Sequence, residues 1–313
     1  MLHLSWLQAA VIGAMQGVTE LFPVSSLGHA VLFPHWVGWG SLANGYSGSD
    51  SGASSYLAFI IALHCATALA LLVFYWRTWI RVIGAFFTSV IQSVKERRLS
   101  ITTPTQRLAW LIVVATIPAG ILGLVLEHEL RTVFANKWAA ATLLMINAFV
   151  LIAGERLRRK SPAPTAAYAN RDEEQEAIVT TQVSLRDAAV IGTAQTGALL
   201  AGISRSGITM VGGLLRGLDH ETAVNFSFLL ATPIIAAAGV LKIPSLFSVD
   251  KTTGVAPIDG NGGAVLLGSA VAFVIALASI KFLTKYFEKR SLYPFAAYCF
   301  VAGSASLIGF AVS

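Results

Sequence analysis

The chain has 313 residues, of which 55% are hydrophobic and only 12% are Asp, Glu, Lys or Arg, whereas soluble globular chains carry about a quarter charged residues. This composition, with a mean hydropathy of +0.70, excludes an ordinary water-soluble domain and points to membrane integration. The formal net charge of +6 does not call for a nucleic-acid partner, because the basic residues sit in loops between apolar stretches, where membrane topology accounts for them.

In chain order, residues 4–39 are apolar but broken midway by Pro23 beside Ser25 and Ser26, and read as a re-entrant helix-loop-helix hairpin. The segment lacks a basic leader and a small-residue cleavage site and holds Gln16 and Glu20, so it is expected to belong to the mature fold and not to a signal peptide. Stretches long enough to cross a bilayer core of about 30 Å follow at 56–76, 108–126 and 138–154. Residues 80–94, with Arg81 and the Lys95 cluster behind them, suit an amphipathic helix on the cytoplasmic interface. Residues 160–183, with Pro162, Pro164 and the run Asp172-Glu173-Glu174, read as a solvated cytoplasmic linker. A second broken apolar segment, 184–217, is interrupted at Gly202, and spans at 223–241, 263–283 and 292–312 close the chain. Cys65 and Cys299 lie in apolar segments without metal-ligand spacing and are expected to be reduced packing residues.

The two broken segments are copies. Ala9-Ala10-Val11-Ile12-Gly13-x-x-Gln16 recurs as Ala188-Ala189-Val190-Ile191-Gly192-x-x-Gln195, and Pro23-Val24-Ser25-Ser26-Leu27-Gly28 lies opposite Gly202-Ile203-Ser204-Arg205-Ser206-Gly207. Basic clusters at Lys95 to Arg107, Arg156 to Lys160 and Lys281 to Arg290 alternate with loops poor in Lys and Arg, and they mark the cytoplasmic side. Trp76, Trp79, Trp110 and Trp138 near the span ends suit interfacial anchoring. The expected architecture is an all-α integral membrane fold with six transmembrane helices and two re-entrant hairpins, built as an inverted-topology repeat of residues 1–159 and 184–313. In such repeats broken helices meet near the bilayer midplane.

Glu20 and Arg205 carry the most information, because an unpaired charge inside an apolar segment costs about 2.5–3.5 kcal/mol or more. Mutual pairing is the simplest structural account, but their polar surroundings ask for more. Gln16 and Glu20 are four residues apart and share a helical face, which leads into Ser25, Ser26, Gly28 and His29. Serines before an apolar helix are natural N-caps, and helices beginning near Ser26 and Ser206 would aim two positive dipole ends at one point, an anion site. Arg205 supplies a planar cation suited to phosphate oxygens, and Gly28 and Gly207 permit close approach. His29 lies three residues after Ser26, within reach as an acid–base or nucleophilic partner. Glu20 can orient a nucleophile or bind Mg²⁺ or Ca²⁺. His3, His35, His64, His128 and His220 have no comparable company and are expected to be packing or surface residues.

Through Gln16-x-x-x-Glu20, Pro23-Val24-Ser25-Ser26-x-Gly28-His29 and Gly202-x-Ser204-Arg205-Ser206-Gly207-x-Thr209, the chain resembles the undecaprenyl pyrophosphate phosphatases of the bacitracin-resistance family. The resemblance covers both halves. It implies a multi-pass bacterial plasma-membrane enzyme that removes the terminal phosphate of a C55 lipid pyrophosphate, recycling the cell-wall carrier, with divalent-metal dependence and a site open to the outer face. It places the nucleophile on Ser26, with His29 as the rival attacking group, the acidic metal motif on Glu20 and Gln16, and phosphate binding on Arg205 with Ser25, Ser204, Ser206, Thr209, Gly28 and Gly207. Ala201 stands where the family commonly has Pro, and Cys299 where many members have Arg. The polyprenyl tail is expected in a groove among spans such as 56–76 and 223–241, the other partners being membrane lipids and, in a homo-oligomer, further copies of the chain. The competing reading is an inverted-repeat transporter or flippase for a phosphorylated lipid, since the same scaffold builds carriers.

Overall fold

The computed structural model describes residues 4–44, 55–134, 136–159, 171–247, 256 and 260–312. Regular structure among them is entirely helical: α1 Trp6–Thr19, α2 Ser26–Trp36, α3 Gly40–Asn44, α4 Ser55–Phe74, α5 Trp76–Glu96, α6 Pro104–Phe134, α7 Lys137–Leu157, α8 Arg171–Gln182 and α9 Leu185–Ala194. A 3₁₀ turn at Gln195–Leu199 leads to α10 Arg205–Leu215, α11 His220–Phe247, α12 Gly262–Phe287 and α13 Tyr293–Val312. Six of the helices are long and apolar enough to cross a membrane, over Tyr56–Phe74, Pro104–Leu126, Lys137–Leu157, His220–Pro244, Gly262–Phe287 and Tyr293–Val312. These match the six spans expected from the sequence. Most of their large exposed side chains are apolar, among them Leu69, Ile121, Phe149, Val274 and Val301, as lipid-facing surfaces require.

The copied segments use the same local chemistry. Ser5 caps α1 and Ser184 caps α9, each in a reciprocal box with the residue three further on, Gln8 or Asp187. Ser25 caps α2 and Ser204 caps α10, their hydroxyls accepting from Gly28 N at 3.2 Å and Gly207 N at 3.1 Å. The docking is also equivalent. Gly13 of α1 lies against the Gly268 backbone of α12, and Gly192 of α9 lies against the Ala115 backbone of α6, so closely that a Cβ on either glycine would overlap a carbonyl. Gly13-x-x-x-Gly17 faces Gly268, Ala272 and Ala276, a small-residue seam of the kind that lets membrane helices meet backbone to backbone.

Two expectations change. The amphipathic segment forms α5, longer than 80–94, with Val82 and Ser89 buried and Ile80, Ile83, Phe87, Ile91 and Val94 exposed along one stripe. The linker is not wholly solvated: α8 packs on α6 and α11 and buries Glu176, Val179 and Thr180. Glu176 pairs with Arg81 at 3.6 Å, and Gln175 bonds Glu221 at 2.7 Å and Asn225 at 2.8 Å. Its acidic run sits at a helix N-terminus, where the dipole favours negative charge. Residues 160–170 lie outside the described residues.

Candidate active site

The two breaks touch. A Cβ on Gly28 would come within 2.9 Å of Gly202 Cα, and Gly202 itself has φ +115°, a conformation that favours glycine. Ser25, at φ +68°, joins the breaks: its Oγ accepts from Gly28 N and, across the chain, from Gly202 N at 3.0 Å. Asn147 of α7, fully buried, completes the joint by donating to Pro23 O at 3.0 Å and accepting from Ser204 N at 3.0 Å. One side chain thus satisfies an open backbone group in each break, and such groups are costly if buried unpaired.

At this junction α1 delivers Glu20 to a cavity of about 260 Å³. Glu20 Oε1 receives Arg205 Nη2, and Oε2 receives Ser26 Oγ and, at 3.1 Å, Gln16 Nε2. The Glu20–Arg205 pair foreseen as the structural minimum therefore exists, yet it is incomplete: Arg205 Nη1 and Gln16 Oε1 are buried without a hydrogen-bond partner. A buried guanidinium N–H with no acceptor is expensive, and a bound anion oxygen would satisfy it.

The cavity wall contains Glu20, Ser25, Ser26, Ser204 and Arg205 from the expected set. Gln16 stands behind Glu20. Ser206 is turned to Phe22 O at 3.1 Å and Ser204 Oγ at 3.0 Å. Thr209 is turned to Arg205 O at 2.9 Å and Ser227 Oγ at 2.5 Å. Gly28 and Gly207 serve the close packing of the breaks. His29 is also off the cavity: its Nδ1 lies 2.7 Å from Ser25 O and its Nε2 2.6 Å from Tyr298 Oη, with the two rings stacked. A carbonyl oxygen only accepts, so Nδ1 carries the hydrogen and Nε2 faces the phenol. Cys299 is buried beside Asn147, with Nδ2 to Sγ at 3.4 Å, so it packs behind the breaks and does not line the cavity.

Several residues at the site were not foreseen. His64 of α4, expected to be a packing or surface residue, lies with Nε2 3.1 Å from Glu20 Oε2 and lines the cavity. His220 lies away from the cavity and packs as expected, stacked on Phe287 and bonded at 2.9 Å to the buried Glu155, which also accepts from Leu292 N at 3.0 Å. His35 packs as expected, bonding Val31 O at 2.9 Å, while His3 and the side chain of His128 lie outside the described residues. Gln195, the counterpart of Gln16, lines the cavity with its Oε1 buried and unpartnered. Asn147 could have been suspected only as a polar residue inside a span.

Beyond these polar groups the cavity runs between α4 and α11, along Leu57, Ile60, Ile61 and Cys65 on one side and Ile234, Ile235, Ala238 and Gly239 on the other, with Lys242 at one end. Among the described residues no three His, Cys, Asp or Glu side chains cluster as a protein-only metal site. The oxygens present still suit a hard divalent cation. The Glu20 carboxylate and the orphaned Gln16 Oε1 are an oxygen pair of the kind Mg²⁺ uses when substrate phosphates and water supply the remaining ligands.

Fold and site together define a helical multi-pass membrane protein in which two broken helix pairs bring a hydroxyl, a carboxylate and a guanidinium to one cavity. The chain belongs to the Bacitracin resistance protein BacA family, whose model matches residues 9–305. Relatives named undecaprenyl-diphosphatase include that of Mycolicibacterium paratuberculosis, 53% identical over 99% of both chains, and that of Mycobacterium avium, 52% identical over 99% of both. An undecaprenyl-diphosphatase 2 of Frankia alni is 48% identical over 99% of both.

Proposed function

We infer that the chain is an undecaprenyl-diphosphatase: it hydrolyses undecaprenyl pyrophosphate to undecaprenyl phosphate and inorganic phosphate. The observation that carries the assignment to this cavity is Arg205, paired through Nη2 with Glu20, left with a buried, unpartnered Nη1, and lining the same cavity as Ser26. The terminal phosphate takes that N–H, together with the N-termini of α2 and α10. The Ser26 hydroxyl attacks the terminal phosphorus and passes its proton to Glu20 Oε2, to which it already donates. The bond to the lipid phosphate breaks, and that phosphate leaves with the tail. Water then attacks the phosphoserine, the serine recovers its proton from Glu20, and phosphate is released. Developing charge on the phosphoryl oxygens is met by groups already in place, the largest usual source of catalysis.

Ser26 is the better nucleophile here because its Oγ is at the cavity, whereas His29 would have to leave both Ser25 and Tyr298 to reach a phosphorus. His29 instead holds the turn that carries Ser26. Glu20 and Gln16 would hold a Mg²⁺ or Ca²⁺ ion, which would supply further charge neutralisation at the phosphates. The tail lies along the apolar wall between α4 and α11.

The scaffold we propose is an inverted-topology repeat, 1–159 and 184–313 joined by 160–183, with both broken pairs re-entrant. Support comes from the equivalent caps at Ser5, Ser184, Ser25 and Ser204 and the equivalent docking of Gly13 and Gly192. With the basic clusters inside, the α4–α11 cavity opens outward. Carriers share such scaffolds, but a serine donating to a carboxylate beside a half-satisfied arginine is a hydrolytic arrangement.

The test is phosphate release from a polyprenyl pyrophosphate by protein purified in detergent. Ser26→Ala and Arg205→Ala should each remove activity by at least about 10²-fold, and EDTA should abolish it until Mg²⁺ or Ca²⁺ is restored. Full activity of either variant overturns the site.

A further inference from the structure

We propose that His64 is a positioning residue for the reaction: from α4 it holds Glu20 Oε2 in the direction of Ser26 Oγ while Arg205 is drawn onto the substrate phosphate. The proposal rests on the assignment of Glu20 and Ser26 to the chemistry.

The carboxylate of Glu20 has four side-chain partners, and they are not equivalent. Arg205 holds Oε1, while Ser26, Gln16 and His64 hold Oε2. Arg205 is the partner that a phosphate competes for, since its side chain lines the cavity and its Nη1 has no partner. When it turns to the ligand, Oε1 loses its anchor and the carboxylate is free to rotate about its last torsion, a broad one. Ser26 cannot hold it, because its hydroxyl is consumed in the attack. Gln16 sits one turn behind Glu20 in the same segment and moves with it.

His64 belongs to a different element, the long span α4, and its ring is fixed independently. Nδ1 lies 2.8 Å from the carbonyl of Ile60 in the preceding turn. The carbonyl only accepts, so Nδ1 carries a hydrogen there; the Glu20 carboxylate also only accepts, so the ring that bridges the two is the imidazolium, with Nε2 donating to Oε2. The imidazole is therefore a strut from the cavity wall to the carboxylate, held at both ends. Its side chain is 21% exposed and lines the cavity.

The test compares His64→Leu, which removes the donor, with His64→Gln, whose amide N–H reaches from the same helical position. Ser26→Ala and Glu20→Gln run alongside in the same phosphate-release assay. His64→Leu should lower kcat roughly ten- to hundredfold, the worth of a hydrogen bond to a charged group, with KM within about twofold. His64→Gln should recover kcat to within about threefold of the parent. If the Leu variant does not survive purification, His64→Asn, too short to reach Glu20, replaces it with the same expected loss. Parental kcat in the Leu or Asn variant, or a Gln variant as slow as Leu, overturns the proposal while Ser26→Ala remains inactive. Parental activity in Ser26→Ala and Glu20→Gln overturns the underlying site assignment instead.

Discussion

Arg205 does two things with one guanidinium. It pairs with Glu20 through Nη2 and leaves Nη1 without a partner, the N–H that the proposed function gives to the phosphate. Lysine can do one of these but not both, because an ammonium is a compact point charge without the planar fork. Arg205→Lys is therefore expected to retain folding yet lose about 10²-fold in kcat/KM, measured as phosphate release over a range of lipid concentrations. Glu20, Ser26 and Arg205 were legible in the sequence because charges and hydroxyls stand out inside apolar segments. His64 was not, for a physical reason: its place against Glu20 arises between two different helices, and no spacing along a chain links position 20 to position 64. His29 shows the converse. It shares α2 with Ser26 as the spacing of three residues suggested, but its imidazole is turned to Ser25 O and to Tyr298 of α13 and away from the cavity.

Helices acquire their roles here at their broken ends. Each break leaves backbone groups without partners, and Asn147 answers one from each copy, Pro23 O and Ser204 N. Asn147→Leu should orphan both and cost about 2–5 kcal/mol, read as a lowered Tm in detergent, with activity falling as the two breaks separate. The glycine contacts make a paired prediction. Gly13→Ala pushes on the Gly268 backbone and Gly192→Ala on the Ala115 backbone, and each overpacking should cost about 1–3 kcal/mol. Closely similar losses of Tm are expected from the two, since the docks are equivalent; a loss at one site only would count against a repeated scaffold. The duplicated string of residues whose caps and docks correspond was legible in the sequence. The docking of α8 was not, because its acidic, hydrophilic composition is the same whether the helix is solvated or laid against Arg81, Glu221 and Asn225.

Across the whole molecule burial is uneven. The apolar window of α11 is the most enclosed of the six, 56% buried, and that of α13 the least, 28%, so α11 is central and forms the cavity wall while α13 faces outward. The proposed orientation predicts that single cysteines at Arg98 and Lys289, in a Cys65→Ala background, react with a membrane-impermeant reagent only from the cytoplasmic side. A cysteine at Gly260 should react only from outside, and reversal of the pattern would invert the topology. Hydropathy, charge placement and the copied motifs by themselves determined that this is a membrane protein of six apolar helices, which family it resembles, and that Glu20, Ser26 and Arg205 belong together. These properties are set by transfer free energies and local spacing, which act on each stretch of chain separately. Tertiary structure alone decided that His64 lies against Glu20, that Asn147 bridges the two breaks, that His29 and Thr209 stand behind the cavity, and that the cavity runs between α4 and α11. Those facts arise from contacts between helices far apart in sequence, where close packing and the pairing of every buried polar group select one arrangement from many that the same hydropathy would allow.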